Sequence, residues 1–206
     1  MPKQSGRPPV TSRGELEQVA LELFSARGFD ATTVDDIAAA SGVSRRTFFR
    51  YYPSKNDVVW GDFEDLLARM EAWLASVDPD VPVLDALAEA VVRFNSLPPE
   101  AVPAHRRRMS LILHVPALQA HGTLRYADWR AVVARFVAAR TGAGPDDAVP
   151  RLVGHVALAA AVASYERWLV DPGADLDALM RGSFAELRTG FSSLASGRRR
   201  RRRGPR

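Results

Sequence analysis

Apolar positions recur at helical spacing along nearly the whole chain, and no stretch alternates residue by residue as a half-buried strand would. Leu16, Val19, Ala20, Leu23 and Phe24 form the first such stripe, begun by Ser12 with Glu15 three residues on and closed by Gly28. Two short helices are predicted between Thr33 and Lys55. Thr33 caps the first with Asp36 in the capping-box position, and Val34, Ile37 and Ala38 supply its inner face. Gly42 stops it, because a sharp reversal needs left-handed backbone. Ser44 caps the second helix, Phe48 and Tyr52 face inward at i and i+4, and Pro53 ends it. Arg45, Arg46, Thr47, Arg50 and Tyr51 are left pointing outward.

Ser54 caps a fourth helix, expected to run unbroken through Trp60, Phe63, Leu67, Met70 and Leu74 to about Val77. Helical periodicity returns over 83–97, 104–114, 117–140, 146–170 and 175–195, punctuated by Pro, Gly and Asp. The pattern predicts an all-α protein, with a three-helix head carrying a helix-turn-helix and a body of five or six helices. The expected divisions are a basic arm over 1–11, the head over 12–53, the body over 54–196 and an Arg-rich, disordered tail over 197–206. The stretch LVGHVALAAAVASYERWLV is apolar nearly all round and is expected to be covered on every side. Its longest apolar run, 152–163, is too short to cross a bilayer, and the N-terminal MPKQSGRPPV lacks the apolar core of a signal peptide. A soluble, cytoplasmic protein is expected.

Charge sharpens this picture. Seven of the 28 Lys and Arg residues lie in 198–206, and the rest of the chain carries more acid than base. One predicted helical segment, 44–55, stands out with Arg45, Arg46, Arg50, Lys55 and no carboxylate. A local cationic helix suits a site-specific reader of DNA better than a general coating protein. Without Cys there is no disulfide and no thiolate metal site. His105, His114, His121 and His155 form no metal-binding pair, and His155 is expected to be a core histidine. Phosphate-cradling glycine loops and a nucleophile elbow are absent, so catalysis has no candidate constellation.

The segment TTVDDIAAASGVSRRTFFRYYPSKNDVV resembles the DNA-binding signature of the tetracycline-repressor (TetR) family of bacterial regulators. Thr33, Ile37, Ala38, Gly42, Val43, Ser44, Thr47, Tyr52 and Lys55 carry the likeness. Two positions depart: Phe49 replaces a Tyr that usually donates its hydroxyl to a phosphate, and Tyr51 stands where His is common. RRTFFRYYPSKNDVVWGDF is similar to the branch of the family that regulates mycofactocin biosynthesis. The resemblance implies a repressor that leaves a palindromic operator when a small molecule binds, with long-chain acyl-coenzyme A as the effector and no other cofactor.

On that reading Arg45, Arg46 and Thr47 meet base edges and Thr33, Tyr51 and Lys55 meet phosphates, with Ser44 and Arg50 completing the DNA-binding set. Arg7 either enters the minor groove or belongs to a solvated terminus, and the arginine tail either attracts DNA or is solvated. Trp60, Phe63, Phe94, Met109, Trp129 and Tyr165 are the candidate pocket lining, though each taken singly is better explained as core. Arg106, Arg107 and Arg108 either meet effector phosphates or form a solvated face. The family's homodimer, built from its last two helices, points to Leu158, Ala161, Tyr165, Leu179, Phe184 and Leu187; burial within one protomer is the alternative. A helical protein-interaction module and an acyl-thioester-binding protein or enzyme without DNA binding are the competing classes.

Overall fold

The computed structural model describes residues 12–192, and every regular element among them is helical. The expected arm over 1–11 and tail over 197–206 lie outside the described residues. In chain order the helices are α1 (Arg13–Arg27), α2 (Val34–Ala40), α3 (Arg45–Tyr51), α4 (Lys55–Trp60), α5 (Phe63–Ala75), α6 (Val83–Asn95), α7 (Val102–His114), α8 (Pro116–Thr141), α9 (Ala148–Val170) and α10 (Leu176–Arg188), with a 3-10 turn at Pro99–Ala101 before α7. They form two compact units. The first holds the residues up to Arg69 together with Leu97–Trp129; the second holds Met70–Ser96 and the residues from Arg130 onward. Two of the boundaries fall inside α5 and α8, and the third lies between α6 and the 3-10 turn.

In the first unit both capping boxes close as the sequence predicts. Ser12 Oγ accepts from the Glu15 amide and Thr33 Oγ1 from the Asp36 amide, while each N3 carboxylate accepts from the cap amide in return. Leu16, Val19, Ala20, Leu21 and Phe24 are the buried face of α1, so Leu21 takes the deep position expected of half-buried Leu23. Gly42 turns the chain with φ +68°, and α3 then buries Phe48 and Tyr52 completely. The Tyr52 hydroxyl donates to the Arg13 carbonyl at 3.2 Å, tying the end of α3 to the start of α1.

The expected long fourth helix is broken. α4 ends after six residues at Gly61, whose φ of +53° and ψ of −130° no ordinary side chain adopts cheaply. Close approach is the second reason, since a Cβ there would lie 2.6 Å from Glu17 Oε2. Glu17 in turn pairs with Arg108 of α7, so the glycine lets α1, α4 and α7 meet around one ion pair.

In the second unit α10 packs on α6 and α9. Leu87, Val91, Trp168, Met180 and Phe184 are buried there. Its deep Tyr165–Asn95 pair is satisfied: the Tyr165 hydroxyl donates to Asn95 Oδ1 at 2.6 Å, and Asn95 Nδ2 donates to the Val91 carbonyl at 2.7 Å. α9 spans nearly all of the expected 146–170, and its 23 residues are by length and composition apolar enough to cross a membrane. It departs from expectation in two respects. One of its faces is open rather than covered, with Leu152 61% exposed and Ala159 and Ala163 beside it. His155 lies on that open face and is not a core residue.

Gly61→Ala should therefore lower stability by about 2–3 kcal/mol through backbone strain and displacement of Glu17. Urea unfolding compared with Gly14→Ala, where a Cβ meets nothing within 4 Å, checks it.

Candidate nucleic-acid interface

α3 presents the cationic surface. Ser44 Oγ accepts from the Thr47 amide at 3.0 Å and lies 2.9 Å from the Thr47 hydroxyl, so its capping role is filled. Arg45, Arg46, Phe49 and Arg50 are exposed, and Thr47 and Tyr51 are half-buried. The arginines differ in their neighbours. Arg45 Nη1 pairs with both carboxylate oxygens of Asp35 on α2, at 3.0 and 3.2 Å. Arg50 lies over the Tyr51 ring, 5.1 Å from its centroid. Arg46 has no hydrogen-bond or ion-pair partner among the described residues, so its guanidinium is the one ready for a ligand without breaking a contact.

Two residues expected at phosphates have internal work. The Thr33 hydroxyl donates to Asp36 Oδ2 at 2.6 Å, a bond that heads the causes holding the Asp36 carboxyl below its ordinary pKa. Lys55 Nζ donates to the carbonyls of Phe29 at 2.7 Å and Thr32 at 2.8 Å, and sits 4.2 Å from the centre of the Phe29 ring. Its desolvation there lowers its pKa, with Asp30 opposing the shift. Two of its three N–H donors thus fasten the α1–α2 turn, which positions the helix-turn-helix.

Two residues further on is a cluster that sequence reasoning missed. Asp57 accepts from Ser54 Oγ at 2.6 Å and from Arg125 Nη2 at 3.0 Å, and His121 Nε2 lies 3.1 Å away. Arg125 extends a second arm to Glu64 at 2.6 Å. Burial alone raises the Asp57 carboxyl, but the Ser54 and Arg125 donors and the charges of His121 and Arg125 outweigh it and hold its pKa below 3.8. The sequence signal was only a Ser-x-x-Asp cap at 54–57. Nothing in helical periodicity reveals that α8 delivers His121 and Arg125 to the same carboxylate.

The six pocket candidates fall in both units. Trp60, Phe63, Met109 and Trp129 lie in the first, Phe94 and Tyr165 in the second. Trp60 stacks edge-on with Phe63 at 5.3 Å and with Tyr126 at 5.5 Å. The Trp60 Nε1 and the Tyr126 hydroxyl are buried without a partner, and burial pushes the Tyr126 pKa up to about 12. On α7, burial pushes His105 down to about 4, so it is neutral at pH 7. Of the three arginines, Arg108 is half-buried against Glu17 rather than solvated, and Arg107 is exposed. Among the candidate dimer residues, Ala161, Tyr165 and Phe184 are closed inside the second unit, whereas Leu158, Leu179 and Leu187 are half-buried.

A capped turn between two seven-residue helices, with a guanidinium-bearing outer face, defines a helix-turn-helix transcription regulator. The chain matches the bacterial regulatory proteins of the tetR family over residues 18–59 and the MftR C-terminal domain over residues 81–192. It belongs to the TetR family. It is 41% identical over 196 residues to MftR of Mycobacterium tuberculosis, named as a candidate transcriptional regulator of mycofactocin biosynthesis, covering 94% of this chain and 99% of that one. The regulator TcmR of Streptomyces glaucescens is 33% identical over 82% of this chain and 77% of its own. Among solved structures, FadR of Thermus thermophilus in complex with lauroyl-CoA shares the fold at TM-score 0.55 and 24% identity, over 87% of this chain and 94% of that one. FadR of Bacillus subtilis in complex with stearoyl-CoA does so at 0.62 and 16%, over 87% and 99%.

Asp57→Asn should cost about 2 kcal/mol at pH 7, through lost charge-assisted hydrogen bonds. Because the folded pKa is depressed, the contribution is complete above the ordinary carboxylate pKa and disappears as pH falls through the folded value. Urea midpoints from pH 7 to 3 should fall less steeply for the variant than for the wild type.

Proposed function

We propose that this protein is a homodimeric repressor of mycofactocin-biosynthesis genes, acting in the cytoplasm and released from a palindromic operator by a long-chain acyl-coenzyme A. The observation that carries the reading is the 41% identity to MftR across nearly the full length of both chains, body as well as head. The acyl-CoA complexes of two FadR proteins supply the effector class. Arg46, exposed and unpaired, is the principal base reader, with Thr47 and Arg50 beside it. Arg45 joins by exchanging Asp35 for a base edge. Ser44, Thr33, Lys55 and Tyr51 hold the turn and line the phosphate path.

Dimerisation uses the open face of α9, Leu152, His155, Ala159 and Ala163, together with half-buried Leu158, Leu179 and Leu187. Two heads on a two-fold axis then read half-sites about 34 Å apart or a multiple of that. Effector bound among Trp60, Phe63, Met109 and Trp129 of the first unit favours a state with lower operator affinity.

Footprinting on intergenic DNA beside mycofactocin genes, followed by a panel of acyl-CoAs added to the complex, tests the proposal. Protection of a palindrome and its loss with one range of chain lengths is expected; no protection, or a footprint indifferent to every acyl-CoA, removes the corresponding half. Arg46→Ala should cost about 1–3 kcal/mol on the operator and relax discrimination at one position per half-site. Lys55→Ala should weaken operator and random DNA alike, and also lower the melting temperature by releasing Phe29 and Thr32, which a pure phosphate contact would not do.

A further inference from the structure

On α3 the feature that the regulator reading leaves unused is an aromatic ring in a cationic surface. Phe49 is 43% exposed, although the adjacent Phe48 is fully buried. Phe48 meets it edge-on at 5.4 Å, and the Arg45 guanidinium lies over it, 5.5 Å from the ring centre. The ring is therefore fixed from inside and flanked on one side by Arg45, while the rest of it is open to solvent. Phe49 has no hydroxyl, so it cannot donate to a phosphate, and pressing an apolar ring on an anion would desolvate the charge without compensation. In the major groove the base edges offer one apolar group, the C5-methyl of thymine.

We propose that Phe49 is a specificity-determining residue that reads one thymine methyl in each operator half-site. The inference rests on the DNA-binding reading above and adds the base that the head selects. Arg46 and Phe49 are three residues apart, about 4.5 Å along a helix, and base pairs are spaced about 3.4 Å. The thymine therefore lies within two base pairs of the guanine that a free arginine on a recognition helix most often takes. Arg45 stacks on the same ring and pairs with Asp35, so the Phe49 ring, Arg45 and Asp35 form one side of the reading surface.

The test uses the full-length protein and an operator selected from a random duplex library. Each thymine is replaced singly by deoxyuridine, which keeps every hydrogen-bonding group and removes only the methyl. Dissociation constants are measured by fluorescence anisotropy. One thymine per half-site should lose about fourfold in affinity, and about fifteenfold when replaced in both, the worth of one buried methyl at each site. Phe49→Ala, with its melting temperature checked, should bind thymine and uracil duplexes equally, whatever its overall affinity. Phe49→Leu should keep part of the preference.

Two results overturn the proposal. One is a uracil scan that is silent at every position in the wild-type protein, a result that needs no variant to fold. The other is a thymine preference that survives in Phe49→Ala, which would assign the methyl contact to another side chain such as Thr47. Failure to select any operator sinks the DNA-binding reading itself; a selected operator with no Phe49-dependent methyl effect sinks this inference alone.

Discussion

The head of this protein depends on the first turn of α4, where two side chains two residues apart each gather polar groups from elsewhere in the chain. Lys55 holds the carbonyls of Phe29 and Thr32, which a tight turn between α1 and α2 leaves without helical partners. Asp57 collects Ser54, His121 and Arg125. Buried charges are tolerable only when donors and acceptors balance, and here each charged group meets its complement. Remove Lys55 and the Thr32 carbonyl loses its ammonium donor; remove Asp57 and Ser54, His121 and Arg125 lose the acceptor they share. The same short turn thereby fixes the support of the DNA-reading helices and joins it to α8.

Much of this was legible in the residues. Caps announce themselves because Ser, Thr and Asp at the right spacing satisfy amides that a helix start leaves open; Ser12–Glu15, Thr33–Asp36 and Ser44 all do so. The inward pair Phe48 and Tyr52, and the outward Arg45, Arg46 and Arg50, follow from the 3.6-residue repeat. The break at Gly61 was missed because an isolated glycine inside an apolar repeat is compatible with continuous helix; only the approach of Glu17 from 44 residues earlier makes the reversal necessary. The Asp57 cluster was invisible for the same reason, since His121 and Arg125 lie more than 60 residues away. Lys55 was read as a phosphate ligand from the family signature, and the signature cannot distinguish a lysine that touches DNA from one that shapes what does.

Periodicity also misjudged α9. Apolar residues on all sides suggested complete burial, yet Leu152, Ala159 and Ala163 lie open while Ala157, Ala161 and Trp168 are covered. An all-round apolar helix states that each face needs a partner, without stating whether the partner is the same molecule. For the residues proposed from sequence, burial separates the two cases: Ala161, Tyr165 and Phe184 are satisfied within the protomer, and Leu158, Leu179 and Leu187 retain surface to share.

The interruption at Gly61 leaves α4 only six residues long. A peptide of that length has no intrinsic tendency to coil, because the cost of nucleation exceeds what so few backbone bonds return. Its helicity is borrowed from the burial of Val58, Val59 and Trp60. Loosening of that apolar underside would therefore fray α4 as a whole rather than tilt it. Lys55 and Asp57 would lose their footing together, and disorder, not leverage, would be the message carried to the recognition helix.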